Sequence, residues 1–288
     1  MMKAAVTGTF DGVHSGHRFL LSTLRREACE RALEPLALTF SYHPLALIAP
    51  ERKPPMLMSV SERARLIQAE GAGVEVLDFD ESLRRLTAAE FLAMLHDRFE
   101  VAAFLLGFNN TIGSDRLGAA ELAGKTVGGV EVLAACEHPD FTVSSSEIRM
   151  ALGRGDIAAA NRMLGRPYAM EGRVVTGRQL GRTLGFPTAN IDGDPAMALP
   201  AIGVYAGRML GHRAVVNIGR RPTVEGRDDA PLSVEAHLLD YSGDLYGRHV
   251  RLEFFGRLRG EQRFGSLDEL KAAIAGDIKA AVDFDYGE

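Results

Sequence analysis

The 288 residues contain no tryptophan and only two cysteines, Cys29 and Cys136. Two isolated cysteines exclude a disulfide framework and a cysteine-based zinc site. They read as small core residues of a protein kept in a reducing compartment. No apolar run approaches the roughly 18 residues of a membrane span. The opening "KAAVTG" has neither a basic n-region nor a long apolar stretch, so no signal peptide is expected. A basic excess is also missing: 33 Lys and Arg stand against 38 Asp and Glu, a net charge of -5. That balance advertises no nucleic-acid partner, although local basic residues can still hold a small phosphorylated ligand. What remains is a soluble, cytoplasmic protein, 46% hydrophobic and 25% charged, long enough for about two domains that each bury a core. Oligomeric state is not legible.

The two halves have different rhythms. Up to about residue 165, short apolar runs alternate with helical patterns. "AAVTG", "PLALTF", "VEVLDF", "AFLLG" and "VEVLAA" read as buried strands. "HRFLLSTLRREACERAL", "SERARLIQAEG" and "AAEFLAMLHDRF" carry apolar residues at helical spacing. Ser59 with Glu62, Thr87 with Glu90 and Ser144 with Glu147 have the spacing of capping boxes. This alternation predicts an α/β domain with a mainly parallel sheet covered on both faces, and ligands of such sheets bind beyond the carboxyl ends of the strands. From about Glu171 onward, "EGRVVTG", "GVYAGRML", "RAVVNIG", "LSVEAHLL" and "HVRLEFFGRL" are strand-like segments between Gly-, Pro- and Asp-rich turns. A helix, "SLDELKAAIAGDIKAAV", follows. The expectation is a small antiparallel β-barrel closed by a terminal helix, with the domains at 1–165 and 166–288.

The first dense stretch is "GTFDGVHSGH", at the carboxyl end of the first strand. His14 and His17 have spacing acceptable for metal ligands, but only Asp11 stands near as a third, and catalytic zinc normally wants three protein ligands. An ordinary surface turn competes. The strand–loop–helix context favours a phosphate cradle, because a helix start presents unpaired N–H groups, Gly12 and Gly16 admit close approach, and each histidine can donate a hydrogen bond. The loop has no lysine and is not a Walker loop. "GAAELAGKT" (Gly118 to Thr126) misses that pattern by one residue between its glycines.

The stretch resembles the H-x-G-H signature of the nucleotidylyltransferase superfamily, and "VSSSEIRMAL" (residues 143 to 152) resembles its second element. The resemblance implies a Rossmann-like domain that transfers an adenylyl group. A phosphate of the acceptor attacks the α-phosphorus of ATP in line and pyrophosphate leaves, driven by positioning and charge stabilisation. His14 and His17 are then expected at the α- and β-phosphates, with Gly8, Phe10, Asp11 and Gly16 also at ATP. Ser145, Ser146 and Arg149 are expected to neutralise the leaving pyrophosphate.

The second dense stretch is "GRVVTGRQLGRTLGFPTANI" (residues 172 to 191). It reads either as a glycine-rich β-loop ending in a proline turn, or as an anion site in which Gly177 and Gly181 expose backbone N–H groups. In the second reading Thr188 and Asn190 are neutral oxygen ligands for Mg²⁺ between protein and nucleotide. Glu235, mid-strand in "LSVEAHLL", is either solvent-facing or a general base for an attacking hydroxyl. This half resembles riboflavin kinase through "GRVVTGRQLGRTLGFPTAN", "GVYA", "NIGRRPT", "VEAHLLDYSGDLYG" and "LRGEQRFGSLDELKAAIAGD". With "TFSYHP", "SVSERARLI" and "LTAAEFLAML", nearly the whole chain is similar to the bacterial bifunctional riboflavin kinase/FAD synthetase family.

The resemblance implies MgATP-dependent phosphorylation of the riboflavin 5′-hydroxyl to give FMN, followed by adenylylation of FMN to FAD. Arg259 and Phe264, and Asn109 in the N-terminal half, are the implied flavin contacts. "GFNNTIG" (residues 107 to 113) departs from the family's pattern, with Asn110 and Ile112 where aromatic residues usually stand, and Phe108 available beside them. The departure supports a second reading, a riboflavin kinase whose adenylylating half is weak or inactive. A flavin-binding module without turnover has no need of a base at 235.

Overall fold

The apolar run after Met2 forms β1 (Lys3–Thr7), and the next runs form β2 (Glu34–Phe40), β3 (Gly73–Leu77) and β4 (Val101–Leu106). A computed structural model describes residues 1–107, 110–134, 143–177, 180–220 and 232–287. Asn109 and Phe108 lie outside the described residues, as does Cys136. The chain divides into two compact units, Met1–Ser145 and Ser146–Glu288.

In the first unit β1 pairs in parallel with β2 and with β4, so that Val6 faces Ala37 and Ala5 faces Phe104. With β5 (Thr126–Val127) and β6 (Val130–Ala134) the strand order is β3-β2-β1-β4-β6-β5. Successive side chains enter opposite cores. Ala5, Leu36, Leu38, Phe104 and Leu106 pack with Phe91, Leu92 and Leu95. Ala4, Val6, Ala37, Ala103 and Leu105 pack with Leu21, Leu24 and Ala28. A strand with both faces covered has no need of polar residues, which explains the continuous apolar runs.

The helices on these faces are α1 (Ser15–Glu30), α3 (Val60–Ala69) and α5 (Ala88–Phe99). Shorter ones are α2 (Leu45–Ile48), α4 (Glu81–Arg85) and α6 (Ala119–Leu122). The predicted Thr87–Glu90 capping box is fully formed at the start of α5.

Two expectations are corrected, and one element is new. The strand β3 is an edge with exposed Glu75 and Val76, and only Leu77 is buried. Cys29 is exposed, because it lies off the buried stripe of Leu21, Leu24 and Ala28. The antiparallel edge hairpin β5–β6 was not anticipated. Its turn is Gly128-Gly129 with φ of 56° and 81°, as a two-residue primed turn requires.

The second unit contains nearly all of α7 (Ser145–Arg154), then α8 (Ile157–Leu164), α9 (Leu180–Leu184) and α10 (Leu267–Val282). Its strands are β7 (Tyr168–Val175), β8 (Ala189–Gly193), β9 (Gly203–Met209), β10 (His212–Arg220), β11 (Leu232–Leu238) and β12 (His249–Arg259). They close into an antiparallel barrel in the order β10-β11-β8-β7-β12-β9. Tyr168, Tyr205 and Phe254 are buried together, with Tyr205 edge-on to Phe254 at 5.8 Å. Ile278 and Ala281 of α10 pack against Val204 and Val215, so the terminal helix covers the barrel wall.

Candidate active sites

In the first unit the chain runs along β1 to one side of the sheet through β2 and β3, and to the other through β4 and β6. The carboxyl end of β1 therefore lies at a topological switch point, where a crevice opens above the sheet. Residues 8–14 occupy that end. Their backbone is left-handed at Phe10, Gly12 and Val13 (φ 47°, 91° and 37°). Holding Phe and Val there costs on the order of 1–3 kcal/mol each, so the surrounding contacts must fix the loop.

Those contacts are specific. The Asp11 carboxylate is buried and accepts the Leu57 N–H at 2.9 and 3.1 Å. Arg63 of α3, 1% exposed, donates to the carbonyls of Thr9 (2.6 Å) and Phe40 (2.7 Å). Phe10 is fully buried in the core beside Val13. Phe10 and Asp11, both expected at ATP, have buried side chains that pack beneath the loop.

Above this support sit the two histidines. His14 caps α1, and its Nδ1 accepts the His17 N–H at 3.3 Å. An accepting Nδ1 leaves the proton of the neutral ring on Nε2, where it is a donor. The rings stack at 3.7 Å with an interplanar angle of 18°, and Phe10 meets His17 edge-on at 5.2 Å. A Cβ on Gly16 would come within 3.2 Å of the His14 ring, so glycine gives that ring its space. The first turn of α1 contains no acidic residue to compete with an anion. Nδ1 of His17 is buried without a partner, although the residue as a whole keeps some exposure. Burial, His14 and Arg63 together hold its pKa well below 6.5.

One residue of the second predicted element reaches the first. The Ser145 hydroxyl at the start of α7 donates to the Asp11 carbonyl at 2.7 Å. Ser146 and Arg149 follow on the same helix. After β4, Ile112 is buried in the core and bridges to Leu117. Its side chain is a packing group of that core. Asn110 is exposed.

In the second unit β8 pairs with β11 so that Asn190 stands opposite Glu235, and β10 places Asn217 opposite Glu235 on the other side. Inward-facing Val234, Ala236 and Leu238 are buried, and Glu235 and His237 alternate onto the outer face. The Thr188 hydroxyl donates to Glu235 Oε2 at 3.3 Å. The two glycines of the dense stretch lie against the same residues. A Cβ on Gly177 would fall 2.1 Å from Asn190 Nδ2, and one on Gly181 would fall 2.4 Å from the Phe186 carbonyl and 3.3 Å from Thr188 Cγ2. Gly177, Gly181, Thr188, Asn190 and Glu235 are therefore brought together.

Arg259 and Phe264 have a different setting. The Arg259 guanidinium is committed to the mostly buried Asp277 of α10 by two hydrogen bonds of 2.8 Å and lies 5.7 Å from the centre of the Phe264 ring. Its first task is to fasten the end of β12 to the helix. Glu261 approaches Gly219 of β10, which flanks Asn217.

Sequence reasoning passed over Arg63, Asn217 and His237. It also passed over a cavity of about 560 Å³ lined by Val174, Thr188, Leu238, Tyr241, Leu245 and Tyr246 among others. Of the expected site residues only Thr188 lines it. Glu235 sits on the opposite side of β11. Among the described residues no cluster of three or more His, Cys, Asp or Glu is placed to hold a metal ion.

The FAD synthetase family model matches residues 2–147, and the riboflavin kinase family model matches residues 164–284. The bifunctional riboflavin kinase/FMN adenylyltransferase of Escherichia coli strain K12 is 39% identical over 289 residues, covering 96% of this chain and 91% of its own. This chain belongs to that bifunctional family. The Bacillus subtilis strain 168 member is 34% identical over 290 residues, covering 96% of this chain and 90% of its own. A solved structure described as a macrolide-efflux protein from Streptococcus pneumoniae superimposes with a TM-score of 0.88 at 30% identity, covering 99% of this chain and 95% of that one. The efflux description is that protein's own. In the described residues of this family member, no helix is long and apolar enough to cross a membrane.

Proposed function

We propose that this chain carries out both reactions of its family in the cytoplasm, phosphorylating riboflavin to FMN with its C-terminal domain (166–288) and adenylylating FMN to FAD with its N-terminal domain (1–165). The kinase reading is carried by one observation. Thr188 and Glu235, 47 positions apart, meet on the outer barrel face with Asn190 opposite the carboxylate. Glu235 accepts the proton of the riboflavin 5′-hydroxyl as the hydroxyl oxygen bonds to the γ-phosphorus and ADP leaves. A hydroxyl, an amide oxygen and a carboxylate are the hard oxygen donors that suit Mg²⁺ beside nucleotide phosphates, and the Asn190 side chain fills the space a Cβ at Gly177 would take. Thr188 and Asn190 would hold the ion, which supplies charge neutralisation on the phosphates when bound. The cavity beside Thr188, with Tyr241, Leu245 and Tyr246, has the size of a small-molecule pocket and a mixed polar and apolar lining. We assign it to the base of ATP. Arg259 acts on the flavin through the position it gives Phe264.

In the N-terminal domain, Nε2–H of His14 and the His17 ring donate to the α- and β-phosphates at the start of α1. There Gly8, Gly16 and the loop backbone, shaped by Phe10 and Asp11, close on ATP. Ser145 holds the loop, and Ser146 and Arg149, assigned on their sequence pattern, meet the leaving pyrophosphate. Asn109 is kept as a flavin contact on the same ground. Removing one donor to developing charge costs on the order of 10²–10³ in rate.

Chromatography of riboflavin, FMN and FAD after incubation with MgATP tests both steps. FMN should appear first and FAD after it. Riboflavin left unaltered overturns the kinase assignment, and FMN without FAD supports the reading in which the adenylylating half is weak.

A further inference from the structure

We propose that His237 is a positioning residue for phosphoryl transfer, a side-chain latch that continues the β8–β11 ladder where backbone pairing has ended. The proposal rests on the kinase reading above. The ladder runs Val234–Ile191, Glu235–Asn190, Ala236–Ala189. One step further, the place opposite Thr188 belongs to His237. Proline at 187 has no N–H to give. Instead the His237 ring reaches across, with Nδ1 2.7 Å from the Pro187 carbonyl oxygen. A carbonyl can only accept, so Nδ1 carries the hydrogen and the tautomer is fixed. The Phe186 ring stands edge-on to the imidazole at 6.0 Å, and the Phe186 N–H closes the turn onto the Gly181 carbonyl at 2.7 Å.

The latch therefore grips the segment immediately before Thr188, whose hydroxyl reaches Glu235 at only 3.3 Å. Glu235 and His237 are two residues apart on one face of one strand, so the strand that bears the base also holds the hydroxyl facing it. A displacement of about 1 Å at such a group costs up to 10²-fold in rate.

The test compares His237→Ala and His237→Asn in the full chain, the asparagine amide being a replacement donor. Three quantities are read: riboflavin kinase kcat and KM, FMN adenylylation, and hydrogen exchange of the ligand-free Phe186, Thr188 and Ala189 amides. With alanine, kcat should fall roughly 10- to 100-fold while the riboflavin KM stays within about threefold. FMN adenylylation should be unchanged, exchange at the three amides should quicken, and asparagine should restore both kcat and protection in part. Unchanged exchange in the alanine variant overturns the latch, whatever happens to activity. So does faster exchange with kcat at the parental value, or an asparagine variant no better than alanine. If the parental protein phosphorylates no riboflavin, the kinase reading falls, while the exchange comparison still decides whether the latch holds the turn.

Discussion

His17 illustrates how position changes the chemistry of one side chain. Desolvation disfavours the imidazolium, and His14 and Arg63 add to that cost. The ring therefore stays neutral below pH 6.5, keeping one N–H donor for a phosphate oxygen. The unfolded chain binds a proton at about pH 6.5 that the folded chain refuses. The linked stability is thus complete above that pH and is lost as pH falls toward the lowered folded value. NMR titration of His17 in the full chain should give a midpoint below 6.5. A midpoint at or above 6.5 removes the burial argument.

The identity of Gly177 is dictated by space, since its φ is not in the left-handed region and the nearest atoms to a Cβ there belong to the Asn190 side chain. Gly177→Ala should displace Asn190 and lower kinase kcat by at least about tenfold with FMN adenylylation intact. An alanine variant with the parental kinase kcat would separate Asn190 from the reaction.

At the scale of elements, α3 acts on the loop of the first site through a single side chain. Its Arg63 spans the loop after β1 and the end of β2 through two carbonyls, near the Asp11 carboxylate. Arg63→Met keeps the volume but removes the guanidinium bonds to both carbonyls, while Thr9 keeps the Thr39 hydroxyl and Asp11 keeps the Leu57 N–H. Hydrogen bonds from a charged donor contribute about 1.5–3 kcal/mol, so the N-terminal unit should lose roughly 1–3 kcal/mol in denaturant unfolding. A loss under about 0.5 kcal/mol, the usual size of a surface change, would show that the loop is held by other contacts. In the second unit α10 has the comparable task, fastening the end of β12 through Asp277 and Arg259. Both helices position chemistry by gripping strand ends, where backbone pairing has run out.

At the scale of the whole molecule, the proposed function assigns the two reactions to separate residues. A chain carrying Glu235→Gln should make no FMN from riboflavin but still convert supplied FMN, and one carrying His17→Ala should make FMN that accumulates. Mixed in equal amounts with riboflavin and MgATP, the two should form FAD after a lag, because FMN released by one chain is taken up by the other. Chromatography that shows FMN rising with no FAD in the mixture would mean that the product of the first reaction does not exchange between molecules.

How much of this was legible from the sequence varies with the kind of contact. Period-two and helical spacing gave most strands and long helices, and "GTFDGVHSGH" announced a ligand edge. The β5–β6 hairpin was missed although its Gly-Gly turn was visible and "VEVLAA" was read as a strand, because β5 has only two residues and shows no period. Strand β8 was hidden inside "PTANI", where the proline and asparagine read as a turn.

Composition and spacing by themselves determined that the chain has an α/β half and a barrel half, and which side chains are chemically able to hold phosphate, bind magnesium or take a proton. Tertiary structure decided which of them face outward. It buried Phe10 and Asp11 as supports, tied Arg259 to Asp277, put Ile112 in the core, and set Thr188 and His237 on either side of the same turn. Periodicity states which face of a strand a residue occupies. What stands opposite it depends on the register between strands far apart in the chain, and that register is set by the packing of the whole barrel.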